Sequence, residues 1–463
     1  MLINSLNFIF AFLPVMLILY YVVPEKWKNI VLVLFSIYFY AWGEPVYVIL
    51  MLFSAVLHYA MASEIKRQKE SGKGAKGTLI FTIVLDIFIL CFFKYYGYIQ
   101  EAVNQLLGTG FSADALGLPI GLSFFTFRNL SYIVDVYKGK CPAEKDFFAF
   151  TAYASLFATM SAGPIVRYAD VRQDFHTHQV YMSKLGEGAQ RFIIGLSKKV
   201  ILADQLALIG SQIQEYGDNL SVVSAWIYLF AYTMQLYFDF SGYSDMAIGI
   251  GKMLGFHFQE NFQYPYVAKS VTDFWRRWHI SLSSWFRDYV YIPLGGNRVS
   301  VVKHIRNILV VWCLTGIWHG VTWNFPVWGI YYGILLILEK YVWKDKLSKL
   351  PGWVSNTYTM ILVMFGWLIF MNPSFDKGLT TFGALFGIGA TEFMDVTAGY
   401  YLKTGILLFV ICVLAARPAL SRFANKIMEK SSVITVLVYG VLFLICISGL
   451  VFNSYRPFLY MQF

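Results

Sequence analysis

Residues 433–452, VITVLVYGVLFLICISGLVF, run for 20 positions without Asp, Glu, Lys, Arg or His. A helix needs about 20 apolar residues to cross the hydrocarbon core. That core accepts only backbone that satisfies its own hydrogen bonds, so the stretch reads as a membrane helix. Leu2–Val23, Val46–Met61, Leu79–Tyr98, Val222–Leu236, Gly329–Leu338, Ile361–Met371 and Leu402–Ala415 repeat the pattern. Several are too short for a full span, which suits short or re-entrant elements around a cavity in a thinned bilayer. The expected fold is all-α and polytopic, with about a dozen membrane helices of roughly 20 residues around a central tunnel.

Composition points the same way. Of 463 residues, 58% are hydrophobic and 14% charged, against about 25% charged in soluble domains. Leu2–Val23 lacks a basic leader and a small-residue cleavage site, so it is expected to remain as a first span. The five cysteines show neither a CxxC pair nor metal-ligand spacing; free thiols and no metal site are expected. The net charge of +10 follows topology. Loop 64–77 holds five Lys or Arg, loop 99–118 holds none but carries Glu101 and Asp114, and loop 137–146 is basic again. Basic loops stay in the cytoplasm, which places the N-terminus and loop 99–118 outside and the other two loops inside. After residue 165 the alternation is ambiguous. The pattern speaks for membrane lipid as a partner and carries no nucleic-acid signature.

Asp86, Lys94, Arg128, Asp135, Asp239 and Asp245 sit in apolar context. A charge in hydrocarbon costs at least about 2.5–3.5 kcal/mol, so each is expected to face a partner or a cavity. The densest case is QLYFDFSGYSDMAIGIGKMLGF (235–256), where glycines permit close approach of a helix or ligand. Asp239 and Ser241 are candidate substrate contacts there. The longest polar connection, 165–190, divides an N-terminal group of spans from the remainder. The following RFIIGLSKKVILADQL (191–206) reads as a helix near a membrane face, marked by Lys198, Lys199 and Asp204.

Residues 274–298, FWRRWHISLSSWFRDYVYIPLGGNR, gather three tryptophans, four arginines and His279. Read as one helix at about 100° per residue, Arg276, Arg277 and Arg287 share a polar arc with Ser281, Ser283 and Ser284. Trp275, Trp278 and Trp285 share the apolar one. Such a helix lies along the interface or re-enters it, ended by Pro293 and Gly295-Gly296. His279 falls on the apolar arc near its boundary, where a satisfied structural imidazole and a reactive one fit equally. In LVVWCLTGIWHGVTWNFPVWGIYYG (309–333), His319 sits without any Asp, Glu, Lys or Arg. Thr315 and Gly316 lie one helical turn back, and Thr322 and Trp323 one turn on if the helix continues. Gly316 then leaves room beside the ring, while Trp312 and Trp323 wall it. A general base in a tunnel and a packed structural histidine are both compatible with that pattern.

WHISLSSWFRDYVYIPLGGNR (278–298) followed by LTGIWHGVTWNF (314–325) resembles the signature pair of the membrane-bound O-acyltransferases. The resemblance is to the bacterial branch of alginate O-acetylation and teichoic-acid D-alanyl transfer proteins, on the alginate side through YIPLGGNR (291–298). FYAWGEP (39–45), FFKYYGY (92–98), LPIGLSFFTF (118–127), SYIVDVYKG (131–139), AGPIVRY (162–168), residues 235–256 and RPFLYMQF (456–463) extend it over nearly the whole chain. There are departures. Arg128 stands where the branch commonly has glutamine and Ala158 where a proline is usual. FGWLIFMNPSF (365–375) lacks an arginine often found there.

The resemblance implies one multi-pass transmembrane domain over 1–463, in the bacterial cytoplasmic (inner) membrane. Its N-terminal helices would cover about 1–164, its histidine-containing core about 186–345 and its C-terminal helices about 355–455. It implies transfer of an acetyl or other acyl group to a hydroxyl on an extracytoplasmic cell-envelope or exopolysaccharide acceptor. The donor would be a cytoplasmic thioester, acetyl-CoA or a carrier-linked acyl group, with no cofactor bound. His319 matches the family's invariant histidine and His279 its second. A hydroxyl is a poor nucleophile, and a neutral imidazole at His319 suits the general base. Arg276, Arg277 and Arg287 suit donor phosphates, or equally interfacial anchoring. Asn324, Thr322, Trp318 and Trp323 are candidate donors to the oxyanion. A polymer fits a buried tunnel poorly, so an extracytoplasmic acyl acceptor or second acetyltransferase protein is the expected partner. D-alanyl transfer to teichoic acid is the alternative within the family. An acyl-group transporter or flippase and a scaffold for a secreted acyltransferase are the alternatives outside it.

Overall fold

The computed structural model describes residues 1–110, 117–179, 181–215, 220–452 and 458–459, with the backbone alone at 344–345. The described residues are helical and contain no strand, as the apolar runs require. Among them, six helices are long and apolar enough to cross a bilayer: Val48–Glu70, Lys76–Leu107, Val301–His319, Gly352–Met371, Val396–Ala415 and Ser432–Phe452. Phe8–Val22 and Phe147–Thr159 are shorter apolar helices. Large side chains such as Phe88, Val410, Leu437 and Leu444 stand exposed on the long ones. Such belts would aggregate in water, but against lipid tails they are a contact surface. The protein is a multi-pass membrane protein.

Apolar runs mark what faces lipid or core, not where a helix ends. Lys76–Leu107 continues beyond Tyr98 through IQEAVNQLL, so much of the loop expected at 99–118 is helix. Glu, Ala, Gln and Leu are good helix formers, and Gly108 at φ +64° ends the run. Residues 111–116, Asp114 included, lie outside the described residues. Val222–Met253 likewise runs on past Leu236 and carries Asp239 and Asp245 inside the helix. The expected first span consists of a π-helical turn, Phe8–Phe12, and a short helix, Leu13–Val22.

The chain forms two compact units. One comprises Met1–Phe192 with Ser244–Gln259, the other Ile193–Tyr243 with Glu260–Phe463. Within the polar connection at 165–190, Tyr168 and Phe175 are buried on short helices Tyr168–Val171 and Asp174–Thr177. The boundary between Phe192 and Ile193 falls inside the Met182–Ser197 helix.

In the first unit, buried charges are paired. Asp86 lies 2.8 Å from His58 Nε2, Arg191 2.7 Å from Asp245, and Lys140 3.6 Å from Asp135. Arg128 donates to Thr159 Oγ1 at 2.8 Å and to the Ala154 carbonyl at 2.9 Å. Residues 244–259 are tied to the N-terminal segment. Tyr21 donates to the Met253 carbonyl at 2.7 Å and Tyr20 to that of Leu254 at 3.1 Å. A Cβ on Gly249 would come within 2.6 Å of the Gly188 carbonyl oxygen, so glycine is what lets these backbones touch.

In the second unit, Lys199 points into the protein. It is 2% exposed and lies 2.6 Å from Asp239 and 3.0 Å from Asp204. The other Asp239 oxygen accepts the Leu459 N–H at 2.7 Å. Of the terminal motif, residues 456–457 and 460–463 lie outside the described residues. All five cysteines are free; Cys141, Cys412 and Cys446 are buried, and Cys91 and Cys313 are partly exposed.

Candidate active site

The 274–298 stretch lies in the second unit and is not one helix. Val271–Arg277 and Ile280–Phe286 are separate helices, broken at Trp278 and His279. His279 has φ +45° and ψ +54°, a left-handed conformation that a residue with a side chain rarely adopts. The single-helix arcs therefore fail across the break, and His279 occupies a corner rather than a helix face. A segment distant in sequence causes this. Ile280 N–H donates to the Asn261 carbonyl and Gln263 N–H to the Arg277 carbonyl, both at 3.0 Å, which pairs groups that the break would otherwise strand.

The Asn261 side chain completes the corner. Its oxygen accepts Ser281 N–H at 3.2 Å and Ser281 O–H at 2.9 Å, and lies 3.1 Å from His279 Nδ1. A backbone N–H needs an acceptor, which identifies that Asn261 atom as oxygen. The His279 proton then sits on Nδ1, and Nε2 carries the lone pair. Phe240 stands edge-on to the ring at 4.7 Å.

His319 is the last residue of Val301–His319, and Gly320 at φ −176° leads the chain away. The helix therefore does not continue to Thr322 and Trp323. Nor does Gly316 leave a gap beside the ring. A Cβ there would lie 2.4 Å from the Phe325 carbonyl oxygen, and a Cβ on Gly329 2.3 Å from that of Trp312. The two glycines let helix Asn324–Leu338 press its backbone against the His319 helix. The imidazole meets Trp328 at 5.1 Å and Phe370 at 5.2 Å, both edge-on.

His279 and His319, 1% and 4% exposed, line one cavity of about 170 Å³ with Trp275, Trp328, Trp367 and Arg287. A second cavity of about 690 Å³ carries Lys269, Arg276, Lys340 and His304 on its wall. Tyr291, Val311 and Trp312 line both. Glu339, also on the larger wall, accepts the Val271 and Thr272 N–H groups at 2.6 and 2.9 Å, so its charge caps a helix.

The structure thus brings His279, His319 and Arg287 to one cavity and Arg276 to its neighbour. It does not bring the other expected residues to either wall. Arg277 is held by Asp273 at 2.9 Å, and Asp239 by Lys199 and Leu459. Ser241 is buried away from both cavities. The Trp323 indole donates to the Pro373 carbonyl at 2.8 Å. Asn324 donates to the Phe370 carbonyl at 2.8 Å and accepts from Thr322 at 2.6 Å. Trp318 meets His319 edge-on at 4.7 Å without lining the cavity. Asn261, Tyr291 and His304 went unnoticed in the sequence. Asn261 hides in a polar loop, and His304 follows Lys303 and precedes Arg306 as one more residue of a basic helix start.

Residues 142–380 match the membrane-bound O-acyltransferase family. The chain belongs to that family. It is 35% identical to the probable alginate O-acetylase AlgI of Pseudomonas putida, over 100% of both chains. It is 32% identical to the peptidoglycan O-acetyltransferase of Helicobacter pylori, over 85% of this chain and 81% of that one. It is also 30% identical to the teichoic acid D-alanyltransferase of Bacillus subtilis, over 55% and 69%. This membrane-bound O-acyltransferase is an enzyme that makes and breaks acyl bonds, which sets aside the transporter and scaffold readings.

Proposed function

We propose that this O-acyltransferase moves an acetyl group from a cytoplasmic thioester to a hydroxyl on the far side of the bacterial inner membrane. The donor is acetyl-CoA or a carrier-linked acyl group, and the acetyl group is destined for a cell-envelope polysaccharide or exopolysaccharide. One observation carries the reading. Two buried histidines share a small aromatic chamber, which abuts a larger cavity rich in cations. The chamber wall described here carries no carboxylate that would meet the ammonium of a D-alanyl group, which favours acetyl. A volume of about 170 Å³ suits an acetyl thioester and one hydroxyl rather than a polymer. A small secreted acceptor protein therefore carries the group onward.

In this reading His319 takes the proton of the incoming hydroxyl as its oxygen attacks the thioester carbonyl. The resulting oxyanion needs donors in a dry site. Trp275 and Trp328 line the chamber, and their indole N–H groups are buried without a hydrogen-bond partner among the described residues. They suit that task better than Asn324 or Trp323, whose donors are engaged elsewhere. Collapse then breaks the C–S bond. His279, held by Asn261, orients the thioester, and Lys269, Arg276 and Lys340 hold donor phosphates in the outer cavity.

The test uses sealed proteoliposomes of known orientation. Labelled acetyl-CoA on the cytoplasmic face should label an acceptor on the opposite face. Label confined to the donor's own side would overturn the cross-membrane direction.

A further inference from the structure

The YIPLGGNR segment builds something the chemistry above does not use. It follows a π-helical turn, Arg287–Tyr291, and folds back at Gly295 (φ +101°) and Gly296 (φ +55°). Gly296 N–H donates to the Tyr291 carbonyl at 2.9 Å. The Asn307 amide donates to the Leu294 and Gly296 carbonyls, each at 3.1 Å. The turn thus fixes Tyr291 on the wall shared by the two cavities, with its hydroxyl 2.8 Å from His304 Nε2.

His304 is 3% exposed. The Tyr341 hydroxyl lies 2.6 Å from its Nδ1, and Lys340 Nζ lies 3.3 Å from its Nε2. A neutral imidazole has one donor nitrogen and one acceptor. The ring proton can sit on either nitrogen; in the tautomer where Tyr341 donates to Nδ1, Nε2 donates to Tyr291, whose own hydroxyl hydrogen can then point into the cavity. Lys340 is exposed, half-buried Tyr291 lines the chamber, and His304 lies between them. The three side chains thus form a hydrogen-bonded path from the exposed Lys340 to the wall shared by the two cavities.

We propose that Tyr291 is the general acid for the departing thiol and that His304 is the positioning residue that resupplies its proton. The assignment rests on the thioester reading. As the acceptor oxygen bonds to the acyl carbon, its proton passes to His319. As the C–S bond breaks, its electron pair stays on sulfur, and sulfur takes the Tyr291 proton. The Nε2 proton of His304 moves to the Tyr291 oxygen as Nδ1 takes the Tyr341 hydroxyl proton, so the ring stays neutral. A proton from the Lys340 ammonium then refills Nε2 as Nδ1 returns its proton to Tyr341. Lys340 recovers its proton from water, and His319 releases the one it took, so the cycle is balanced.

A bracket that merely braces the fold would arrange the same atoms, so the test must separate the roles. Acetyl transfer from S-acetyl-N-acetylcysteamine, an alkyl thioester, is compared with transfer from S-phenyl thioacetate, whose thiolate is a better leaving group. The measurement is the ratio of the two rates in wild type, Tyr291→Phe and His304→Gln. The ratio does not depend on how much protein is folded. Both variants should slow alkyl transfer about tenfold or more, the low end of general-acid assistance because thiolates leave readily. Aryl transfer should change far less. Equal loss with both donors, while wild type uses both, would overturn the acid relay alone. Wild type that uses neither thioester would overturn the relay together with the thioester reading.

Discussion

His279 Nδ1 and the side-chain oxygen of Asn261 lie 3.1 Å apart across the break between two short helices. That one oxygen also holds both the backbone and the hydroxyl of Ser281. The tautomer of the histidine and the sharp corner that carries it thus depend on the same atom.

Asn261→Ala should therefore lower kcat by roughly 10- to 100-fold. That corresponds to the about 1–3 kcal/mol expected when buried donors lose their acceptor. The donor KM should change little, because the cationic cavity is untouched. Steady-state transfer by reconstituted protein measures both constants. An unchanged kcat in the folded fraction would mean that Asn261 only braces the chain.

His319→Ala should insert normally yet lose at least about 100-fold in transfer, the usual scale for loss of a general base. His279→Ala should lose less. Retention of more than about a tenth of wild-type activity in His319→Ala would remove the base assignment.

Gly329→Ala places a methyl 2.3 Å from the Trp312 carbonyl oxygen, whereas Gly74→Ala meets nothing within 4 Å. Overpacking should destabilise the first by about 1–3 kcal/mol and leave the second near wild type. Thermal unfolding in detergent compares them. Equal midpoints would mean that the two helices separate without penalty.

Glu144 predicts an acid limit to stability. Burial by itself would raise its pKa, but the Asp146 N–H, Tyr168, His176 and the Lys145 N–H together lower it to about 2. A carboxyl depressed in the folded state adds stability that is complete above its unfolded pKa of about 4.3. That stability disappears as pH falls through about 2. Unfolding midpoints from neutral pH downward should drop across that window in wild type and vary less in Glu144→Gln. Parallel curves would refute the linkage.

Arg276→Gln should raise the KM for acetyl-CoA, most at low salt, because an exposed cation acts through a screened field. Arg277→Gln should act weakly, since Asp273 already neutralises that side chain. Equal effects of the two would contradict the placement of Arg276 on the outer cavity.

Much of the fold and part of the site can be read along the chain. Uninterrupted apolar residues such as 433–452 announce a helix wherever lipid is the solvent. His279 and His319 stand out because ionisable groups in such a setting are expensive. Helix breaks escape a periodic reading. Trp278 and His279 carry no glycine or proline to flag the corner, and the bonds that make it come from Asn261 and Gln263, outside the stretch. Gly316 was misread for a related reason. A missing Cβ signals close approach, but only the packed structure tells that the visitor is the Phe325 carbonyl rather than a substrate. His304 was missed because a histidine between basic residues looks like ordinary surface, and its two tyrosine partners are 13 and 37 residues away.

The interleaving of the two units has a consequence for biosynthesis. Residues 244–259 belong with Met1–Phe192, yet residues 193–243 of the other unit precede them. A ribosome must therefore emit 51 residues of foreign chain before the first unit receives its last segment. Until then Tyr20, Tyr21 and Arg191 lack the carbonyls of Leu254 and Met253 and the carboxylate of Asp245. Domains that are contiguous in sequence close one after another during translation. Here the earlier unit waits, short of its closing segment, for the later one to begin.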